Sequence, residues 1–347
     1  MVFEPKFGKG VYEMRKMTFG NLMQFFASIL VISILLMPGL SFSWSLQAKC
    51  GDVANRRHLN VLTINLLFSE FKNRQTRLET IADFVADHSS DPIDVILLQE
   101  VVGGSLSGTL NSGLDLKNLL ASRKLYYNYN FKLANGVPGV LSVGNGILSR
   151  CEILFTLSQT LPFVIEEPFD DFKIPLRRNV MMSRINVPGF GRINVYNTHL
   201  CADCDPADRF EQAEVLMGFI QYVEKLIPGI NPIILGGDFN TDLNFSDDFL
   251  VYDLITQSGF IDTYGVSKSC IGKSCCSIST DPGCTFAADN NPYAVDLFTQ
   301  QPERPERIDY IFIKGNQLFT VNSIVIFNAS PDWVSDHSAV LSTIGLQ

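Results

Sequence analysis

Histidine is scarce in this chain, with four residues in 347. Acid–base chemistry centred on imidazole therefore has few places to be. No serine or cysteine sits in a nucleophile motif, which disfavours a covalent catalytic route. Positive charge is also in deficit. The formal net charge is −9, which argues against general electrostatic capture of polyanions and leaves room only for a local basic patch. The sequence shows no internal repeat, interdomain linker or long disordered stretch, so a repeat array or a flexible multidomain chain is not expected. What is present is an apolar content of 46%, enough for one sizeable core running from residue 50 to the end.

Residues 1–43 read as an export signal. Basic residues end at Lys16, Leu22 to Met37 is almost unbroken apolar sequence, Pro38-Gly39 breaks the helix, and Ser41-Phe42-Ser43 offers small residues for cleavage. Met17 as the true start is a hypothesis that N-terminal sequencing of the precursor would test. The rival reading is an uncleaved membrane anchor, against which stands the shortness of the apolar run. Either reading places the globular part, residues 50–347, outside the cytoplasm, secreted or periplasmic. The leader holds four basic and two acidic residues, which leaves the remainder near −11. Cys50 follows Lys49 rather than a small residue, so a lipidated cysteine is not expected.

Eight cysteines form an even set in an exported chain, and disulfides are the natural expectation. They allow about 105 complete pairings, so connectivity stays open. Clustering favours Cys201–Cys204 and bridges within Cys270–Cys284 over distant pairs. Zinc or redox chemistry at Cys201-x-x-Cys204 is disfavoured, because no nearby histidine completes a zinc set and the context is not thioredoxin-like.

Chemistry-bearing residues recur where apolar runs stop. The run Ile233-Ile234-Leu235-Gly236-Gly237 predicts a buried strand that delivers Asp238 and Asn240, with Phe239 turned away. Its two glycines allow close approach of backbone or ligand. Residues 58–67 predict a strand with Asn65 near its end, and a buried amide there needs partners. Residues 93–100 predict the clearest buried strand, ending in Glu100. A hairpin through Pro188-Gly189-Phe190-Gly191 delivers His199. Residues 307–313 carry Asp309, and Ser335-Asp336-His337 leads into the last strand. Helices are predicted over 74–88, 114–122, 208–226 and 247–258. Residues 103–113 read as an exposed Gly/Ser-rich loop, and residues 265–299 as a substrate-facing insertion tied by disulfides. Residues 160–176 fit either ordinary packing or an exposed apolar loop.

This convergence of carboxylates, amides and two histidines suits hydrolysis of a phosphate ester. Oxygen donors such as Glu100, Asn65 and Asp336 suit Mg²⁺, with Mn²⁺ or Ca²⁺ as alternatives. A histidine would activate water, and an acid such as Asp309 would hold its tautomer and raise its basicity.

The ordered runs Leu98-Gln99-Glu100, Asn197-Thr198-His199-Leu200, Gly236-Gly237-Asp238-Phe239-Asn240, Arg307-Ile308-Asp309-Tyr310 and Ser335-Asp336-His337 resemble the endonuclease/exonuclease/phosphatase superfamily across residues 58–344. That resemblance implies a four-layer α/β sandwich of two packed mixed sheets flanked by helices, with the site at one end. It implies Glu100 as principal metal ligand with Asn65 beside it and Asp336 in the same shell. His337 would be the general base, oriented by Asp309. Asp238 and Asn240 would position the nucleophile and bind phosphate. His199 would stabilise the transition state or protonate the leaving group, and Asn145 and Arg178 would contact substrate.

Within the superfamily, His199 disfavours the abasic-site endonuclease branch, and Thr241-Asp242 departs from the pattern of 5-phosphatases. The stretches 145–150, 282–286, 290–294 and 306–310 are similar to neutral sphingomyelinases. The expected function is thus a secreted, Mg²⁺-dependent sphingomyelinase of phospholipase C type, acting on phospholipid at a membrane surface as a monomer. Nucleic acid is the less favoured partner. A secreted deoxyribonuclease I-like endonuclease is the alternative, and a non-catalytic binding module on the same fold is a third reading.

Overall fold

The computed structural model describes residues 50, 57–69, 73–169, 172–229, 231–245, 249–277, 281–296 and 301–347, with side chains 166–175 outside the description. The leader, residues 1–43, lies outside the described residues. Among the described residues, no helix is long and apolar enough to cross a membrane.

Two six-stranded sheets make the body of the molecule. The first sheet contains β1 (His58–Asn65), β2 (Ile93–Gly103), β3 (Asn128–Val137), β4 (Leu141–Ser149), β13 (Leu318–Ile326) and β14 (Ala339–Leu346), in the order β13-β14-β1-β2-β4-β3. The second contains β5 (Glu152–Thr160), β8 (Asn179–Val187), β9 (Gly191–His199), β10 (Ile233–Asp238), β11 (Ile261–Asp262) and β12 (Asp309–Lys314), in the order β11-β12-β10-β9-β8-β5. Each sheet has one parallel pair at its centre, β1 with β2 and β9 with β10, flanked by antiparallel neighbours. A separate hairpin pairs β6 (Val164–Phe169) with β7 (Phe172–Leu176).

Strand alternation sorts the apolar residues into layers. Leu59, Val61, Val95 and Leu97 of the first sheet face Met181, Val195, Ile234 and Ile311 of the second across a shared core. Their neighbours Leu62, Ile64, Ile96 and Leu98 point the other way, onto α1 (Arg74–Asp87) and α2 (Ser112–Ser122). On the far side, Tyr196, Leu235 and Phe312 pack against α3 (Pro206–Leu226) and α4 (Phe249–Gln257). Burying each such aliphatic side chain contributes about 1.5–3 kcal/mol. Helix, sheet, sheet, helix is the four-layer sandwich expected from the sequence.

Gly236 shows why that strand needs a glycine: a Cβ there would lie 2.6 Å from Leu97 of the opposite sheet. The close approach is therefore of sheet to sheet, not of ligand. The edge strand β5 was not anticipated, and 160–176 resolves into the β6–β7 hairpin.

All eight cysteines are paired. Cys201–Cys204, Cys270–Cys275 and Cys276–Cys284 are local, as their clustering suggested, while Cys50–Cys151 closes a separation of 101 residues. Such pairing indicates an oxidising compartment.

Candidate active site

Register builds half of the site. Along β9, β10 and β12 the chain aligns His199 with Asp238 and Asp238 with Asp309, so three functional side chains stand in one row. In the first sheet Asn65 pairs in register with Gln99, one residue before Glu100. Glu100 does not end its strand, as the sequence suggested. β2 continues to Gly103, and the ladder with β4 jumps from Leu98–Gly146 to Val101–Gly144. Glu100 sits in that bulge with φ 54°, and bulges re-aim side chains in this way. His337 comes from the loop before β14 and is bridged to Phe286 of the disulfide-tied insertion.

Asp238 is the hub. Its Oδ2 accepts from Asn65 Nδ2 at 3.0 Å and lies 3.4 Å from His199 Nε2 and 3.6 Å from His337 Nε2. Its Oδ1 accepts the Asn240 backbone N–H at 3.0 Å, while the Asn240 side-chain amide donates to the Leu200 carbonyl. His337 Nδ1 lies 2.8 Å from Asp309 Oδ2, which leaves Nε2 facing Asp238. Thr285 Oγ1 accepts from the backbone N–H groups of Ile308 and Asp309, and the Phe286 ring lies 5.0 Å from that of His337. The Cys-rich insertion therefore buttresses the histidine–aspartate pair.

Electrostatics split the two histidines. Burial alone would lower the proton affinity of His337, but Asp309, Asp238 and Asp336 raise it well above the ordinary imidazole range. His199 is held well below that range by burial, then by Arg178 and His337. Arg178 Nη1 lies 3.0 Å from Nδ1 and 3.1 Å from Nε2 of His199. Burial and the charge of Asp309 push the Asp238 carboxyl up to about 7.

Glu100 is raised by burial and then by Asp336, against the Phe68 N–H that donates to its Oε2 at 2.7 Å. A buried carboxyl raised in this way beside a second carboxylate fits a hard divalent cation, which would offset the cost of ionising it. Asn65 Oδ1 accepts the Leu67 N–H at 2.9 Å and retains a second lone pair for such an ion. Ligand atoms of Asp238, Asp309 and His337 also lie within 4.8 Å of one another. There the hydrogen bond between His337 and Asp309 already occupies one face. Asp309 Oδ1 is left buried and unpartnered.

Amide side chains tie the two sheets together at this end. Gln99 Nε2 donates to Asn197 Oδ1 at 2.7 Å, and Asn197 Nδ2 donates to the carbonyls of Leu98 and Gly146, both at 2.9 Å. Asn145 Nδ2 donates to the backbone oxygen and Oδ1 of Asn179 at 3.1 and 2.8 Å. The Asn145 amide nitrogen is thus engaged within the protein, while the residue lines a cavity with Glu100 and His199. Arg178, the other residue that the sequence suggested for substrate, stands at the site beside His199.

Two cavities meet at the centre. A polar one of about 520 Å³ contains Asn65, Glu100, His199, Asp238, Asp336 and His337, and its rim adds Asp203, Glu303 and Glu306. Asp203 and Glu303 lie outside every sequence motif, whereas Glu306 opens the 306–310 stretch; the fold brings all three to one cavity. Burial, Asp336 and Asp203 raise Glu303 to about 7. The second cavity, of about 260 Å³, is mostly apolar and shares Glu100 and His199 with the first.

The Arg-Ile-Asp-Tyr run also has a structural part. Arg307 is fully buried, pairs with both carboxylate oxygens of Asp262 at 2.7 and 2.8 Å, and lies 4.5 Å from the Tyr310 ring.

Comparison with curated proteins finds no match. Among solved structures, an endonuclease/exonuclease/phosphatase from Beutenbergia cavernae DSM 12333 is similar with a TM-score of 0.58 at 22% identity, over 84% of this chain and 72% of that one. The human Nocturnin catalytic domain with bound sulfate anion is similar with a TM-score of 0.59 at 17% identity, over 84% and 96%. A mannosyl-6-phosphatase from Bacteroides thetaiotaomicron VPI-5482 follows with 0.54 at 19%, over 82% and 99%. At such identities the likeness is one of fold. The family model for Endonuclease/Exonuclease/phosphatase matches residues 62–337, a span that holds every residue of the row and both histidines. This chain belongs to the endonuclease/exonuclease/phosphatase family.

Proposed function

We propose that the protein is a secreted, Mg²⁺-dependent phosphodiesterase that hydrolyses sphingomyelin to ceramide and phosphocholine. The observation that carries this choice is the acidic polar cavity. Glu100, Asp203, Asp238, Glu303, Glu306 and Asp336 line it against Arg209 and Arg304. Nucleic acid would bring neighbouring phosphates against those carboxylates, a repulsive arrangement. A single phosphodiester with a cationic head group and an apolar remainder suits the acidic rim and the adjoining apolar cavity.

Glu100 and Asp336, with Asn65 beside them, would hold the Mg²⁺ ion, which when bound neutralises charge on a phosphoryl oxygen. Asp309 fixes the His337 tautomer so that Nε2 takes a proton from water, while Asp238 orients that water and Asn240 fixes Asp238 through its backbone N–H. The water oxygen forms a bond to phosphorus as the bond to the ceramide oxygen breaks. His199 donates a hydrogen bond to a phosphoryl oxygen, Arg178 beside it offsets the negative charge that develops, and the departing oxygen takes its proton from solvent.

A side-by-side assay of the mature chain with Mg²⁺ on sphingomyelin vesicles and duplex DNA tests the reading, with His337→Ala as control. Phosphocholine release without DNA cleavage is expected. DNA cleavage alone would establish the endonuclease alternative, and inactivity on both would favour the binding module.

A further inference from the structure

Two stretches that the catalytic chemistry leaves unused carry no charged residue: 103–113, the loop from β2 into α2, and 133–144, the loop and strand ends at the tip of the β3–β4 hairpin. The fold ties them together. Ser105 N–H donates to the Gly139 carbonyl at 3.0 Å and Leu106 N–H to the Val140 carbonyl at 2.9 Å. The contact is close enough that a Cβ on Gly104 would lie 2.5 Å from the Val140 oxygen. Large aliphatics nonetheless face outward, with Leu110 88%, Leu106 67%, Val137 61% and Val140 45% exposed. Phe163, at the base of the β6–β7 hairpin, is 56% exposed, and Arg177 lies over its ring at 6.0 Å.

The patch is continuous with the catalytic centre. Gly136 and Leu141, which flank Val137 and Val140, line the apolar cavity, as do Leu176 and Arg177. That cavity ends at Glu100 and His199. Whatever covers the patch therefore also covers the cavity mouth. A second copy or a lasting protein partner would shut it, whereas a lipid surface would supply its occupant. Neither loop carries a charge, and the charged groups beside them are of both signs, Arg74 near Gly108, Asp115 bonded to Thr109 and Arg177 at the cavity, which matches a zwitterionic surface better than an anionic one.

We infer that the loop pair 103–113 and 133–144 is an interfacial docking surface that seats the enzyme on a zwitterionic lipid layer and aims the apolar cavity at a hydrocarbon portion of the substrate. The cavity part of this inference rests on the lipid-phosphodiesterase reading; the docking part can be measured without turnover.

The test is co-sedimentation of the mature chain with phosphatidylcholine vesicles, which carry no sphingomyelin. We expect binding that is unchanged between low and high salt. The quadruple variant Leu106→Ser/Leu110→Ser/Val137→Ser/Val140→Ser should lose at least about tenfold in vesicle partitioning, because apolar insertion supplies the affinity. Its turnover of soluble bis(4-nitrophenyl) phosphate should equal that of the unmodified chain. Leu110→Trp, a single change at the most exposed position, should tighten partitioning, and guards against misfolding of the quadruple variant. Absence of vesicle binding overturns the inference. So does equal binding by all three proteins, or a dimer in sedimentation velocity that the quadruple variant turns into a monomer. Vesicle binding with sphingomyelin left uncleaved would overturn the proposed substrate and leave the docking surface standing.

Discussion

His199 and His337 face the same carboxylate oxygen, Asp238 Oδ2, at 3.4 and 3.6 Å, yet they are held in different ways. His199 ends a strand whose register with β10 fixes its position, and its other polar neighbour is a cation, Arg178. His337 sits in a loop, braced by Phe286, and its neighbours are carboxylates. Proton affinity is lowered at one imidazole and raised at the other. Two residues of one type thus acquire different proton affinities from their surroundings, and with them different parts in the site.

Removing the basic member should cost most. His337→Ala is expected to lower kcat by about 10³–10⁴-fold while circular dichroism and thermal unfolding stay close to those of the unmodified protein; retained turnover would remove the proposed base. Asp309→Asn should cost about 10²–10³-fold. It also takes a negative charge from beside His337, so the proton affinity of that ring falls. The ascending limb of the pH–rate profile should then move to lower pH, and a limb that stays put would separate Asp309 from the base.

Glu100→Gln addresses the cation rather than either ring. It should raise the Mg²⁺ concentration for half-maximal activity by about ten- to a hundredfold, and an unchanged titration would count against this ligand. Arg178→Ala should have the smallest effect on rate, about tenfold or less, but it should bring the two histidines closer in character. With the neighbouring cation gone, the His199 imidazole should titrate at higher pH by NMR, whereas an unmoved resonance would contradict the contact.

The same contrast marks where sequence reasoning works. Asp238, His199 and Asp309 are legible because each follows or opens a short apolar run, and alternation then decides which face each side chain takes. Their alignment into one row comes from inter-strand register, which no local pattern states. Glu100 is identifiable as an acid emerging from aliphatics, but its bulge depends on the long-range ladder with β4. β5 escaped notice because it is an edge strand whose Leu154, Phe155 and Leu157 are partly exposed, so alternation of polar and apolar residues does not mark it. Glu303 and Asp203 carry no local signature at all. Asn145 reads equally well as a donor for substrate, and only the distance to Asn179 shows that its amide is already engaged.

The amide ties across the two sheets have a consequence for how this protein ages with heat. Asn65 and Glu100 belong to one sheet, while His199, Asp238 and Asp309 belong to the other. Catalytic distances are therefore set by how far one sheet slides over its partner, and Gln99–Asn197, Asn65–Asp238 and Asn145–Asn179 act as dowels against that slide. Shear of an ångström would leave both sheets, and nearly all of the buried apolar surface, intact. Turnover should accordingly fade at a temperature below that at which the backbone signal melts, and the gap between the two would measure how firmly the dowels hold.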